Sequence, residues 1–179
     1  TADGQPYDTP WGGASLDMTH PGARAHLREV AGRICREWGF DYIKIDGLWT
    51  GTATKQLYVN SGYKPDDLGG AVFANPAKTG IEAYRDGLKL VREAAGRDVF
   101  ILGCNGPQNM RSYGAAFGLV DAMRIGPDNG AEWKGLTRGP LFGSRHYFLH
   151  GRVWLNDPDP VYVRASMPLN HAQLICSWV

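Results

Sequence analysis

The sequence predicts an α/β fold in which helices alternate with short parallel strands, and three observations support this prediction. Two segments show the three- and four-residue spacing of apolar side chains that marks one buried face of a helix. Each of these segments is followed at once by an apolar run of strand length. Polar side chains then follow every strand candidate, as they do where parallel strands deliver functional groups to one edge of a sheet.

The first helix and strand are predicted within residues 20–46. From Leu27 onward, apolar residues recur at helical spacing up to residue 38, which predicts a helix over residues 20–38. Pro21 lies near its start and Gly39 just past its end, where these residues act as start and stop signals. A strand is expected over residues 40–46.

The remaining elements repeat this order. A second helix is predicted over residues 78–95, where Gly96 follows the last apolar position, and a strand over residues 98–104. Later elements complete the list: strands over residues 119–124 and 152–156, a helix between them over residues 136–150, and a final helix over residues 168–179.

Composition excludes several classes of protein. Lys and Arg number 19 and Asp and Glu 18, giving a net charge of +1, so we expect no nucleic-acid partner. The apolar runs are far shorter than the roughly 20 residues of a membrane-spanning helix, so a soluble chain with no membrane association is expected. Neither the three separated cysteines nor the N-terminal residues indicate a compartment or a targeting signal. Oligomeric state is not indicated.

Two architectures fit alternating helices and strands: a doubly wound open sheet and a closed (β/α)8 barrel. The sequence contains no strand that runs into a G-x-G-x-x-G helix start, and no P-loop. Four strand candidates end in polar residues, and a barrel collects its chemistry at such carboxyl ends. We therefore favour the barrel. At 179 residues the chain has the length of one ordinary domain, whereas a complete barrel takes about 250 residues.

The first candidate site lies on the strand over residues 40–46. Its period of two places Tyr42, Lys44 and Asp46 on one face and two isoleucines on the other. In a barrel, the isoleucines would pack outward against the helices while Lys44 and Asp46 point into the lumen. A neighbouring lysine keeps a carboxylate ionised, as a nucleophile requires. A salt bridge at the strand end, without chemistry, explains the pair equally well.

The second candidate is the pair Arg124 and Asp128. The glycine and proline between them predict a turn that returns Asp128 toward Arg124. Two carboxylates on separate strand ends, Asp46 and Asp128, are the minimum equipment for cleaving a glycosidic bond. A surface ion pair is the alternative interpretation of Arg124 and Asp128.

The third candidate is the segment 154–159, in which Trp154 and Asp159 would face a ligand at the barrel mouth. An Asx-type turn explains its alternating Asp and Pro residues as simply. Aromatic residues in glycine-rich loops could stack on sugar rings: Trp11, Trp49, Tyr58, Tyr63 and Trp133. The five histidines form no zinc-type pattern, and the serine-nucleophile motif G-x-S-x-G is missing.

Taken together, these segments resemble the retaining α-galactosidases, or melibiases, of glycoside hydrolase families 27 and 36. Residues 16–21 resemble the segment after the third barrel strand, and residues 41–47 resemble the fourth-strand motif. Cys104 and Asn105 fall at the family's fifth-strand position, and Arg124 with Asp128 fits its R-x-x-x-D motif. Residues 154–159 depart from the family by one residue, which makes Trp154 a less secure match than Asp159.

The resemblance implies a double displacement with Asp46 as nucleophile and Asp128 as acid/base. It requires no cofactor and no metal. It assigns substrate binding to six residues: Lys44, Cys104, Asn105, Arg124, Trp154 and Asp159. The implied substrate is a terminal α-galactoside in an oligosaccharide or glycoconjugate, while relatives cleave α-N-acetylgalactosaminides or isomaltose-type α-glucosides.

The family match covers the barrel from the end of its third strand to its seventh helix. Residues 1–179 are then expected to form part of one catalytic barrel domain, and strands outside this segment would complete the sugar pocket and the enzyme. A hypothesis of another class is a sugar-binding or structural barrel fragment without catalysis.

Overall fold

The computed structural model describes residues 1–8, 13–53, 70–104 and 113–178, and a parallel sheet of four strands organises them. The strands are β1 (Tyr42–Ile45), β2 (Phe100–Gly103), β3 (Ala122–Arg124) and β4 (Leu155–Asp157). The helices are α1 (Pro21–Gly32), α2 (Gly80–Ala95), α3 (Trp133–Leu136), α4 (Arg138–His146) and α5 (Leu169–Trp178). No helix in these ranges is both long and apolar enough to cross a bilayer.

The four strands are neighbours in the order in which they occur along the chain. Each strand pairs in parallel with the next, from β1 to β4. The connections from β1 to β2 and from β3 to β4 contain helices, as predicted, whereas the described part of the connection from β2 to β3 contains a 3-10 turn at Gly114–Ala116. The parallel pairing also places all four carboxyl ends at one edge of the sheet.

The helix ends follow the predicted signals. Pro21 lies in the first turn of α1, which continues through a π-helical turn at Arg33–Glu37, and Gly39 follows with φ of 75°. α2 begins with a capping box, in which Thr79 and Glu82 accept each other's backbone N–H. Such a cap contributes about 1 kcal/mol to helix stability.

The main hydrophobic core lies between one face of the sheet and helices α1 and α2. Ile43 and Ile45 of β1 pack against it, as their alternation predicts. Ile101 of β2 and Met123 of β3 are almost fully buried in the same core. On the opposite face, Tyr42 stacks on the Phe100 ring with centroids 5.5 Å apart.

Several predicted elements are shorter or shifted in the structure. β3 begins at Ala122 rather than residue 119, because Gly118 adopts φ of 76° and holds the preceding residues in a turn. β4 likewise begins later than predicted, after a turn at Gly151 with φ of 69°. The single helix predicted over residues 136–150 is divided into α3, α4 and a 3-10 turn at Tyr147–Leu149.

Candidate functional site

The sheet register brings four of the predicted site residues to one end of one face. Lys44 on β1 pairs with Leu102, which pairs in turn with Ala122 on β3. Two residues further along the chain from these positions are Asp46, Cys104 and Arg124, which the strand alternation directs to the same face. Arg124 is the last residue of β3, and Asp46 and Cys104 directly follow β1 and β2. The carboxyl ends of three strands thus form one polar wall.

A cavity of about 660 Å³ opens at this edge of the sheet. Six of the eight residues assigned from the sequence line it: Lys44, Asp46, Cys104, Arg124, Asp128 and Asp159. Four further residues complete the lining: Pro127, Asn129, Arg138 and Tyr162. Its volume is in the range of small-molecule binding sites, and both candidate catalytic carboxylates lie in its wall.

Arg124 is the central cation of this site. Its side chain is 4% exposed, and its Nη2 donates to Asp128 Oδ1 at 2.8 Å and lies 2.7 Å from Asp159 Oδ2. The predicted turn over residues 126–127 therefore does return Asp128 to Arg124. Because Arg124 is buried, the pair is not an ordinary surface ion pair, although the Asp128 side chain is 95% exposed. The Asp159 side chain is itself only 11% exposed, so losing this partner would leave Arg124 without its buried counter-charge, a change that typically costs about 3–5 kcal/mol.

The side chain of Asp159 connects the loops that follow β3 and β4. Its Oδ2 accepts the backbone N–H of Asn129 at 2.6 Å and also contacts Arg124. The predicted Asx-type turn is present, since Asp157 Oδ1 accepts the Asp159 N–H at 2.9 Å, and Asp159 adopts φ of 81°. Burial raises the pKa of the Asp159 carboxyl, while the Asn129 N–H and Arg124 act in the opposite direction.

Cys104 lies beside the candidate nucleophile. Burial raises the pKa of the Cys104 thiol to about 11, and its hydrogen bond to Asp46 adds to the effect. The cations Lys44 and Arg124 oppose this shift. The thiol therefore stays protonated at neutral pH and can donate to the Asp46 carboxylate, which also accepts the N–H of Gly47 at 2.8 Å.

We predict that Cys104 resists alkylation while Cys176 reacts. Cys104 is buried and Cys176 is exposed. With a pKa of about 11, roughly one Cys104 thiol in a thousand is ionised at pH 8. Iodoacetamide labelling followed by peptide mass spectrometry should find modified Cys176 first, and the Cys104 rate should rise about tenfold per pH unit. Equal labelling rates for Cys104 and Cys176 in the folded protein would contradict the buried, protonated state of the Cys104 thiol. The control is urea-unfolded protein, in which both of these cysteines should react.

Trp154 does not line this cavity, in contrast to the expectation that it faces a ligand. It is 4% exposed and packs in the hydrophobic core, edge-on against Tyr113 and Phe117. Its Nε1 donates to Asn156 Oδ1 at 3.0 Å. Register explains the difference: Asp157 pairs with Arg124, so Trp154 and Asn156 fall on the opposite, helix-covered face.

Several other sequence-based assignments are not at the site or cannot be placed. Trp133 is half exposed and packs on His171 with ring centroids 5.1 Å apart, and it does not line the cavity. Four of the remaining residues lie outside the described residues: Trp11, Tyr58, Tyr63 and Asn105. The side chain of Trp49 is also outside the description.

Sequence reasoning missed Asn129, Arg138 and Tyr162. Asn129 donates through Nδ2 to the Pro158 carbonyl at 2.7 Å, and the Arg138 guanidinium donates to the backbone carbonyl of Asp128. Asn129 directly follows the R-x-x-x-D segment, and this position is a signal from which its place in the site could have been predicted. Arg138 lies in a helix and Tyr162 beyond a strand, in positions that no spacing rule marks.

Two of the three carboxylates in the cavity wall, Asp46 and Asp128, are exposed to solvent, and each has a cation nearby. Asp46 lies beside Lys44 and Cys104, and Asp128 is paired with Arg124. Such an arrangement can perform nucleophilic attack at one carboxylate and proton transfer at the other. Within the described part of the chain, no group of three or more His, Cys, Asp or Glu residues is placed to hold a metal ion. Comparison of the chain with models of known protein families finds no match.

Proposed function

We propose that this chain carries the nucleophile, Asp46, and the acid/base, Asp128, of a retaining α-galactosidase. The proposal is supported most by the location of the predicted site residues in one cavity. Six residues assigned from separate motifs, between 44 and 159 in the sequence, line one cavity at the carboxyl edge of a parallel sheet. A parallel sheet brings any strand-end residues to this edge, so the support comes from their identity: the six include both candidate catalytic carboxylates and the two cations that the mechanism requires.

We further propose that the sheet belongs to a (β/α)8 barrel. The sequential order β1 to β4 is the order of a barrel, and it contains no reversal of the kind that marks the switch point of a doubly wound sheet. Helices α1 and α2 pack against the face of Ile43 and Ile45. The face that carries Lys44 and Asp46 would then be the lumen.

In the first chemical step, an Asp46 oxygen attacks the anomeric carbon of the galactoside while the bond to the leaving oxygen breaks. Asp128 gives its proton to that oxygen, so the leaving group departs as an alcohol and a galactosyl ester forms on Asp46. Lys44 and Arg124 bind sugar hydroxyls.

In the second step, Asp128, now a carboxylate, takes a proton from water. The resulting hydroxide-like oxygen attacks the anomeric carbon and displaces Asp46, which releases galactose with its original configuration. The high exposure of Asp128 suits this role, because water reaches its side chain directly.

The test is hydrolysis of 4-nitrophenyl α-galactoside by the protein in its full-length form, followed by proton NMR. We expect α-galactose as the first product, before mutarotation. β-Galactose as the first product would contradict a retaining mechanism. Binding of galactose without any hydrolysis would favour the non-catalytic hypothesis instead.

A further inference from the structure

The order of the strands distinguishes the two ends of the cavity. Asp46 directly follows β1, at one end of the four-stranded sheet, and Asp128 follows β3. Asp159 and Tyr162 follow β4, at the other end. In a double displacement the leaving group departs on the side away from the nucleophile and next to the acid. The β4 end of the cavity is therefore the leaving-group side.

Tyr162 is the aromatic side chain that lines this end. It is partly buried, and it belongs to the lining together with Asp128, Asn129 and Arg138. The Arg164 guanidinium carbon lies 5.7 Å from the centroid of the Tyr162 ring, within the range of a cation–π contact. This contact restrains the ring at the edge of the cavity.

The groups around Tyr162 are held by hydrogen bonds that do not involve it. Asp159 accepts the Asn129 N–H at 2.6 Å, Asn129 donates to the Pro158 carbonyl at 2.7 Å, and Arg138 donates to the carbonyl of Asp128. The loops after β3 and β4 are thus cross-linked without Tyr162. Tyr162 therefore holds neither loop in place, and the part of its side chain that lines the cavity can contact a ligand.

We infer that Tyr162 is the binding platform for a ring-containing leaving group, such as the second sugar of a disaccharide, and so determines specificity on that side. This inference rests on the proposed function. Aromatic rings bind the apolar face of a sugar while neighbouring polar groups bind its hydroxyls. Arg138 and Asn129 are polar residues in the same cavity lining as Tyr162.

The test compares two substrates with alcohol leaving groups, melibiose and methyl α-galactoside, in the full-length protein. Only melibiose places a ring on the leaving-group side. We expect Tyr162→Ala to lower kcat/KM for melibiose roughly 3- to 10-fold, mainly through KM, and to leave methyl α-galactoside unchanged. Tyr162→Phe, which keeps the ring, should retain wild-type values for both substrates.

The control variant is Tyr147→Ala, which removes a tyrosine that is 73% exposed and lies outside the cavity lining; it should change neither substrate. Equal losses for both substrates in Tyr162→Ala, or no loss for either, would overturn the inference. If the wild-type protein hydrolyses neither substrate, it is the proposed function that has failed. In that case, titration calorimetry with wild-type and Tyr162→Ala protein tests the role of Tyr162. We expect the variant to lose roughly 3- to 10-fold in affinity for melibiose and none for methyl α-galactoside.

Discussion

Asp46→Ala is expected to lower kcat/KM for every α-galactoside by at least about 10⁴-fold, the scale at which loss of a nucleophile acts. The cause is direct: of the described residues at the β1 end of the cavity, Lys44 is a cation and the Cys104 thiol stays protonated through a pKa of about 11, so neither can replace Asp46 as the nucleophile. Steady-state rates with 4-nitrophenyl α-galactoside would measure the loss. Circular dichroism would show that the fold is retained.

The matched control for this variant is Asp41→Ala. Asp41 lies just before β1, at the opposite end of the same strand, and its side chain is exposed. It removes a carboxylate from the same segment without touching the cavity, so activity should stay within about twofold of the wild type. Undiminished hydrolysis by Asp46→Ala would disprove the assignment of the nucleophile.

Asp128→Ala is expected to discriminate between substrates by the quality of their leaving group. Melibiose needs a proton on its departing oxygen, so its kcat/KM should fall by about 10²- to 10⁴-fold, the usual contribution of a general acid. The glycosylation step with 4-nitrophenyl α-galactoside needs little acid assistance and should fall much less. Azide should restore part of the turnover of the aryl substrate by attacking the galactosyl ester without a general base.

The control for Asp128→Ala is Asp98→Ala, which removes an exposed carboxylate in the turn before β2, at the other edge of the sheet. It should affect neither substrate. A loss of equal size for melibiose and the aryl substrate, without azide rescue, would mean that Asp128 supports Arg124 and does not transfer a proton.

The elements and polar groups that depend on local pattern could be predicted from the sequence. Alternation along residues 42–46 correctly separated the isoleucines from Lys44. The Gly-Pro turn correctly returned Asp128 to Arg124. Both are set by neighbours a few residues apart, where strand period and turn chemistry decide the geometry.

The remaining features depend on how strands pair, which no local pattern reports. Trp154 is in the core because β4 pairs through Asp157, and a shift of one residue in register would have reversed its face. The hydrogen bond from the Asn129 N–H to Asp159 spans 30 residues. Tyr162 reaches the cavity only through the course of the loop after β4.

The most direct measurement of the central claim is to locate the covalent bond to the sugar. A fluorinated galactosyl fluoride forms the galactosyl ester quickly and hydrolyses it slowly, so the ester accumulates. Peptide mass spectrometry of the inactivated protein should find one galactosyl label on the peptide that contains Asp46, and none in Asp46→Ala. A label on another residue, or continued turnover with no labelled peptide, would contradict Asp46 as the nucleophile of a retaining α-galactosidase.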